Sequence, residues 1–406
     1  MKLLIAIPAL NEEASIGSII ERTLEARRFI VANSAVTEVD IVVVSDGSTD
    51  RTVQIARSYH AKINLIVFEL NKGYGAAIKE AWKDSDAELL GFLDADGTCD
   101  PNFFADLCRG LETEHADIAL GCRLSKDTQM PPIRQVGNRI FASLLTLLSG
   151  KRVRDTASGM RVLRREAYLR LLPLPNGLHF TPAMSARALL GLSGNTKLIE
   201  IDMAYHEREG VSKLNVFRDG IRFLRIILEA LFLYRPFRPL CVAGLLSLAL
   251  ALVVMASPVV YYWNHHSVQE WMIYRFIVGH LAATNACLML SMAILTRFMA
   301  RITITGQYGR ESFTSLEKAF LSPFFSLVPL ALLLTGTLLI FPELIGRPTN
   351  GFTNEHWSRY IAMSFFYLVA LILIAARVSA YFLNLVAEQV AYSRVDLAVG
   401  TASIAR

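Results

Sequence analysis

The chain has 406 residues, of which 53% are hydrophobic and 19% charged, and its mean hydropathy is +0.38. That is too apolar for one ordinary soluble domain, and the excess is concentrated after about Pro236, so a soluble head followed by a membrane half is expected. Lys and Arg number 41 against 36 Asp and Glu, a formal net charge of +5, with many cations near the start of the apolar region. This favours contact with anionic lipid and argues against a nucleic acid partner. The five cysteines, Cys99, Cys108, Cys122, Cys241 and Cys287, contain no CxxC pair and read as free thiols in a reducing compartment.

The first ten residues carry one Lys and an apolar run that breaks at Pro8 and Asn11-Glu12-Glu13. They read as a first buried strand rather than a signal peptide. Strand patterns at 3–7, 40–45, 64–69 and 89–93 then alternate with helix patterns at 13–29, 52–59 and 74–83. Short apolar runs separated by helices imply an α/β fold, Rossmann-like, with a mostly parallel sheet covered on both faces. Ligands of such sheets bind at the carboxyl ends of the strands, where 8–13, 46–50 and 94–97 all fall.

Beyond Pro131-Pro132 the pattern gives a helix at 133–149, a connector at 156–161, a helix at 181–192 and a strand at 197–204. Residues 215–234 read as an amphipathic helix, with Val216, Phe217, Ile221, Leu224, Ile227 and Leu228 apolar and Arg218, Arg222 and Arg225 basic. Such a helix is expected to lie in a membrane interface. Apolar stretches at 239–262, 273–295, 319–341 and 361–386 each meet the roughly 20-residue length of a membrane-spanning helix. The second connection carries Arg297, Arg301, Arg310 and Lys318, whereas 263–272 has neither Lys nor Arg. Positive-inside bias therefore sets the head and the C-terminus in the cytoplasm. The expected organisation is a head at 1–214, a juxtamembrane amphipathic helix at 215–238, four transmembrane α-helices at 239–387 and a loose polar tail at 388–406.

The most informative segment is Phe92-Leu93-Asp94-Ala95-Asp96-Gly97. Side chains at i and i+2 of a strand share a face, so Asp94 and Asp96 can converge on one hard cation, and a hard cation is what holds a diphosphate. Val42 to Ser45 runs into a second acidic turn, Asp46-Gly47-Ser48-Thr49-Asp50, where Ser48, Thr49 or Asp50 could also cap a helix. Asn71 to Ala77 lacks GxGxxG spacing and reads as a helix start with close glycine packing. Arg161, Arg164 and Arg165 read as a solvated helix face, and His179, His206, His265 and His266 show no metal-ligand spacing.

Taken in order, Ile7-Pro8-Ala9-Leu10-Asn11-Glu12-Glu13, Val44-Ser45-Asp46-Gly47-Ser48-Thr49-Asp50, Asn71-Lys72-Gly73-Tyr74-Gly75-Ala76-Ala77 and Leu93-Asp94-Ala95-Asp96-Gly97 resemble family 2 glycosyltransferases of GT-A fold. Ser158-Gly159-Met160-Arg161-Val162 and Arg208-Glu209-Gly210-Val211-Ser212-Lys213 resemble the dolichol-phosphate mannose synthase branch, the polyprenyl-phosphate glycosyltransferases. The resemblance covers about residues 1–235. It implies inverting, metal-dependent transfer of mannose or glucose from GDP-mannose or UDP-glucose to a polyprenyl phosphate, dolichyl or undecaprenyl, and the apolar spans and charge bias add the expectation of a multi-pass integral membrane protein whose catalytic domain is cytoplasmic. By the same resemblance Pro8, Asn11 and Glu12 would line the base pocket, Asp46, Asp94 and Ala95 would hold the nucleotide, and Asp94 and Asp96 would hold Mg²⁺ or Mn²⁺. Arg123, Arg139 and Ser143 would bind the acceptor phosphate or stabilise the transferring groups, and Arg208, Ser212 and Lys213 would close over the diphosphate. Many members have Gln two residues after the second Asp, where this chain has Thr98. Two other readings compete. A processive polysaccharide synthase should carry QxxRW, which is absent, and a non-catalytic translocator or binding protein for lipid-linked sugar has no need of Asp46, Asp94 and Asp96 together.

Overall fold

The structure is a computed structural model that describes residues 1–124, 128–191, 196–207, 216–300, 302, 314–345 and 356–404. The chain divides into two compact units, Met1–Tyr234 and Arg235–Arg406. In the first, strands β1 (Lys2–Ala9), β2 (Glu38–Asp46), β3 (Asn64–Phe68) and β4 (Leu89–Leu93) alternate with helices α1 (Ile16–Asn33), α2 (Thr52–Arg57) and α3 (Tyr74–Lys83). Then follow α4 (Phe104–Thr113), β5 (Ile118–Cys122), α5 (Pro132–Ser149), β6 (Met160–Arg164), α6 (Arg165–Leu171), α7 (Phe180–Leu190), β7 (Leu198–Asp202) and α8 (Val216–Tyr234).

The strands form one seven-stranded sheet in the order β3-β2-β1-β4-β6-β5-β7. Pairing is parallel throughout except that β6 runs antiparallel to both neighbours, β4 and β5. The apolar run of β1 explains the layering. Because successive side chains point to opposite faces, Leu3, Ile5 and Ile7 join a core with α1 and α4, while Leu4 and Ala6 join a second core with α3 and α7. Helix α1 meets the first core through Ile16, Ile19, Ile20, Thr23, Ala26 and Ile30, a helical spacing. A third cluster joins α5, α7 and α8 through Ala142, Leu145, Leu189, Ile227 and Leu231.

Three expectations change. The connector placed at 156–161 already enters β6 at Met160, and Arg161 on that strand is fully buried rather than on a solvated helix face. Arg164 ends the strand and bonds the Ala116 carbonyl at 3.1 Å and Glu112 at 2.9 Å, while Arg165 bonds the Ala87 carbonyl at 2.7 Å. A strand flanked by β4 and β5 on both edges can bury a cation such as Arg161 only where oxygen acceptors receive its N–H groups, while Arg164 and Arg165 stay partly exposed. The stretch expected to be a polar tail is helical as far as Ile404, the end of α13 (Trp357–Ile404). The segment has no proline, and polarity alone does not end a helix.

The second unit holds α9 (Phe237–His265), α10 (Ile273–Ala300), α11 (Ser315–Leu321), α12 (Leu327–Ile345) and α13. Four helical segments, Phe237–His265, Glu270–Ala300, Pro323–Phe341 and Trp357–Gln389, are long and apolar enough to cross a membrane. Pairwise packing links α9 with α10, α10 with α13, and α12 with α13.

Trp82 anchors the second core of the head. Its ring stands 5.0 Å from that of Tyr168 and 6.0 Å from that of Phe92, and its indole N–H donates to the Gly91 carbonyl at 3.2 Å. Trp82→Ala should lower head stability by about 3–5 kcal/mol. Pulse proteolysis of the full chain in detergent across a urea series measures this, and a loss under about 1 kcal/mol would contradict the packing described.

Candidate active site

The carboxyl ends of β1, β2, β4, β5 and β7 lie along one edge of the sheet, with the amino end of the antiparallel β6 among them. A cavity of about 450 Å³ opens there, and its lining includes Pro8, Glu12, Asp46, Tyr74, Asp94, Ala95, Asp96, Arg123, Arg134, Tyr205 and Arg222. A position outside the strand ends is where an open α/β sheet takes its ligand. The head therefore brings Pro8, Glu12, Asp46, Asp94, Ala95, Asp96 and Arg123 of the sequence-derived set to one place.

Asp46, Asp94 and Asp96 are each held by specific partners. Asp46, at the end of β2, is buried, and its Oδ1 and Oδ2 accept from the backbone N–H groups of Lys72 (2.7 Å) and Gly73 (2.9 Å). It thereby shapes the 71–73 loop. Gly73 has φ of 105°, and a Cβ there would strike the Asn176 carbonyl oxygen, so a side chain is excluded on two counts. Asp94 Oδ1 accepts from the Tyr74 hydroxyl at 2.6 Å, and its Oδ2 lies against Gly159, where a Cβ would overlap the carboxylate. Asp96 is buried, and its Oδ1 accepts from the Thr98 hydroxyl at 2.7 Å and the Thr98 N–H at 3.2 Å. Burial, and then the Asp94 charge, raise the Tyr74 phenol well above its usual value, so it stays a proton donor.

The basic part of the lining includes Arg123, just past β5. Its Nε and Nη2 donate to Asp155 Oδ2 (2.8 Å) and Oδ1 (2.9 Å), its backbone N–H also reaches Asp155 Oδ2 (3.1 Å), and its guanidinium stands 5.7 Å from the Tyr205 ring centre. Asn138 on α5 donates to Asp155 Oδ1 at 2.7 Å, and Glu200 accepts from the Asp155 N–H at 2.8 Å. Burial alone would raise the Asp155 carboxyl, but the Arg123 charge and these hydrogen bonds override it and hold the group down at about 2. Arg161 lies behind this lining, fully buried, with Nε, Nη1 and Nη2 donating to the Ser158 carbonyl (3.1 Å), the Ser185 hydroxyl (2.9 Å) and the Thr156 carbonyl (2.8 Å). Burial lowers its pKa to about 10, still above neutral pH.

Asn11, Arg139 and Ser143 are not among the cavity-lining residues. Asn11 instead ties the turn after β1 to the loop after β2, accepting from the Thr49 N–H at 2.8 Å through Oδ1 and donating its own N–H to the Ser48 hydroxyl at 3.1 Å. Arg139 and Ser143 stand exposed on α5. Asn138 is the inward residue of that helix, and at about 100° per residue Arg139 turns away from it, whereas Arg134, four residues earlier, returns to the inward face and lines the cavity. Arg222 on α8, paired with Asp219 at 3.1 Å, also lines it. Arg208, Ser212 and Lys213 lie outside the described residues. A further cavity of about 520 Å³ in the second unit, bounded by Pro329, Leu333, Ile374, Arg377 and Val378, has no carboxylate in its lining.

Mg²⁺ or Mn²⁺, implied by the motifs, can be tested against the donor set. Among the described residues no group of three or more His, Cys, Asp or Glu is arranged to hold a metal ion. The cavity offers two carboxylates from Asp94 and Asp96, while the neighbouring Cys99 is buried with its thiol pushed up to about 12 by that burial. Hard oxygen donors in so small a number suit an ion that keeps water and completes its shell with substrate phosphate, so the residues fit.

The comparisons agree with this geometry. Residues 4–172 match the family model for glycosyl transferase family 2. The chain is 33% identical over 260 residues to the low-salt glycan biosynthesis hexosyltransferase of Haloferax volcanii, covering 61% of this chain and 59% of that protein. It is 31% identical over 226 residues to the dolichyl-phosphate hexose transferase of the same organism, covering 54% of this chain and 89% of that protein. Over 309 residues it is 25% identical to the dodecaprenyl-phosphate galacturonate synthase of Rhizobium johnstonii, covering 75% of this chain and 85% of that protein. The chain belongs to glycosyl transferase family 2, and its head, with the acidic pair at the carboxyl edge of a mostly parallel sheet, has the GT-A arrangement.

The Asp155 site yields a pH dependence. Its folded pKa lies below the usual 3.8, so the stability it contributes is complete above about pH 4 and is lost as the pH falls toward 2. Asp155→Asn leaves Arg123 buried beside a neutral amide and should cost about 3–5 kcal/mol near neutral pH. Thermal melts of the full chain should show wild type and variant converging below about pH 4. A gap that stays constant down to pH 2 would remove Asp155 from this role.

Proposed function

We propose that the chain transfers a hexose, mannose or glucose, from a nucleotide sugar to a polyprenyl phosphate at the cytoplasmic face of a membrane, giving a polyprenyl-phosphate sugar with inversion at the anomeric carbon. The observation that carries the reading is one cavity whose lining combines the carboxylates of Asp46, Asp94 and Asp96 with the guanidiniums of Arg123, Arg134 and Arg222. A donor diphosphate and an acceptor phosphate are both anions, and such a cavity offers each a different kind of partner. The names of the relatives, two of which act on dolichyl or dodecaprenyl phosphate, support the acceptor class.

In this reading Pro8 and Glu12 contact the base, with Asn11 fixing the turn that carries them. Asp46 holds the 71–73 loop against the nucleotide, and Asp94 and Asp96 are the residues that would hold Mg²⁺ or Mn²⁺. When bound, that ion neutralises charge developing on the leaving diphosphate. Arg123 receives the acceptor phosphate, since a guanidinium binds phosphate oxygens in pairs and Asp155 fixes its plane. Arg134 and Arg222 share that task in place of Arg139 and Ser143. The acceptor oxygen is already anionic at neutral pH, so its attack on the anomeric carbon, as the bond to the diphosphate breaks, needs no strong general base. Arg208, Ser212 and Lys213 keep the role of closing over the diphosphate. The four apolar helices span the membrane with the head, the second connection and the C-terminus in the cytoplasm, following the Lys and Arg bias.

Purified protein given radiolabelled GDP-mannose or UDP-glucose and a short polyprenyl phosphate should release label into a butanol-extractable lipid. Asp96→Ala should lower turnover at least ~10²-fold, and EDTA should abolish it. Near-normal turnover in EDTA, or label only in polymer, would defeat the assignment.

The arginine assignment has its own test. Arg134→Ala should raise KM for the lipid acceptor about 10-fold or more, as expected from losing a charge-assisted contact, while Arg139→Ala stays within about threefold of wild type. The opposite ranking would return the acceptor site to Arg139.

A further inference from the structure

Asp94 and Asp96 are close in sequence, share a cavity and carry like charge, so each must be restrained if their oxygens are to stay in one arrangement. Each carboxylate receives a short hydrogen bond from a neighbouring hydroxyl. Tyr74, the first residue of α3, donates to Asp94 Oδ1 at 2.6 Å, and Thr98 donates to Asp96 Oδ1 at 2.7 Å.

Neither hydroxyl is loosely placed. Tyr74 follows Gly73, whose N–H is held by Asp46, and its ring meets that of Phe92 edge to face at 6.4 Å. The next residue, Gly75, packs so closely on Phe180 and the Pro175 carbonyl that a Cβ would not fit. Thr98 is buried, its carbonyl accepts from the His206 N–H at 3.0 Å, and its own N–H adds a second bond to Asp96. The Thr98 hydroxyl is far closer to Asp96 Oδ1, at 2.7 Å, than to its other polar neighbour, Cys99 Sγ, at 3.7 Å. Thr98 stands where family resemblance leads one to expect a glutamine that ligates metal.

We propose that Tyr74 and Thr98 are positioning residues of the acidic pair: their hydroxyls fix the rotation of Asp94 and Asp96, so that the pair presents a preset oxygen arrangement to a divalent cation and the donor diphosphate. This rests on the reading of Asp94 and Asp96 given under the proposed function. Thr98 in this chain serves metal binding through Asp96 and not as a ligand itself. Orienting partners of this kind are worth about 10–100-fold in metal affinity.

The test uses the full chain in detergent, stripped of metal, with Mn²⁺ titrated by electron paramagnetic resonance in the presence of UDP and, separately, of GDP. Tyr74→Phe and Thr98→Val should each weaken Mn²⁺ binding about 10-fold or more, with kcat falling further than KM for the donor rises. Thr98→Ser, which restores the hydroxyl, should lie within about twofold of wild type in Mn²⁺ affinity. Melting temperature is recorded for each variant, and a defect shared by Thr98→Val and Thr98→Ser would mark loss of packing and overturn the hydroxyl role. If Asp96→Asn abolishes Mn²⁺ binding while Tyr74→Phe and Thr98→Val bind as wild type, the positioning role is wrong and the acidic-pair reading stands. If Asp96→Asn itself binds Mn²⁺ normally, both fall.

Discussion

Opposite charge brought into one cavity without collapse is the constraint on which this head depends. Carboxylates from Glu12, Asp46, Asp94 and Asp96 share about 450 Å³ with the guanidiniums of Arg123, Arg134 and Arg222. At an effective dielectric of about 20, a pair that closed to 4 Å would attract by about 4 kcal/mol. Local partners oppose this. Asp46 is tied to backbone amides, Asp94 to Tyr74, Asp96 to Thr98, Arg123 to Asp155 and Arg222 to Asp219. A site built this way is organised before substrate arrives, and preorganised charge is what stabilises a transition state without reorganisation at the moment of reaction.

The sheet topology delivers that separation. Strands β1, β2 and β4 run parallel and lead into the Glu12 turn, Asp46 and the Asp94–Asp96 turn, so the acidic lining comes from the carboxyl ends of neighbouring strands of the sheet. The basic lining needs the antiparallel β6, which inserts between β4 and β5 and sets Gly159 against Asp94 at its amino end. The missing Cβ of Gly159 lets the basic half of the sheet approach the acidic one closely. Buried Arg161, two residues on, pins the 156–158 loop from behind through two carbonyls and Ser185.

How much of this the sequence carried follows from the range of each interaction. The strands and helices of the first hundred residues were legible because apolar runs and helical spacing are local signals, and the acidic turns were legible because they interrupt those runs. Strand β6 was not, because Met160-Arg161-Val162-Leu163-Arg164 breaks the alternation of a strand with two adjacent apolar residues and spaces its arginines three apart, as a helix would, and those arginines are held partly by groups far away in sequence, Ser185 for Arg161 and Ala116 for Arg164. Asp155 and Asn138 lie 17 residues apart across a helix and a loop, a separation at which no periodicity predicts a contact. Tyr74 at a helix start looks like an ordinary core aromatic until its hydroxyl is seen on Asp94. Arg134 could have been found: once Asn138 is taken as inward on α5, helical geometry selects residue 134 over 139.

The two helices that supply Arg134 and Arg222 also carry apolar side chains outward. On α5, Ile133, Val136, Ile140 and Leu147 are exposed, and on α8, Ile221, Leu224, Leu228 and Phe232 are exposed. Between the helices Phe141 meets Phe223, and Ile227, Leu231 and Leu145 bury a shared seam, so each helix has an inward cation, a packed flank and an uncovered apolar side. Exposed apolar surface on this scale marks a contact with something other than water. A polyprenyl phosphate is amphipathic in the same sense, with a dianionic head on a hydrocarbon tail. Under the proposed reading, a head group drawn to Arg123, Arg134 and Arg222 leaves its first isoprene units against the apolar sides of the same helices. Under that reading the packed α5–α8 pair couples where the phosphate stops to where the tail must remain, a coupling that neither a loop cation nor an isolated amphipathic helix would provide.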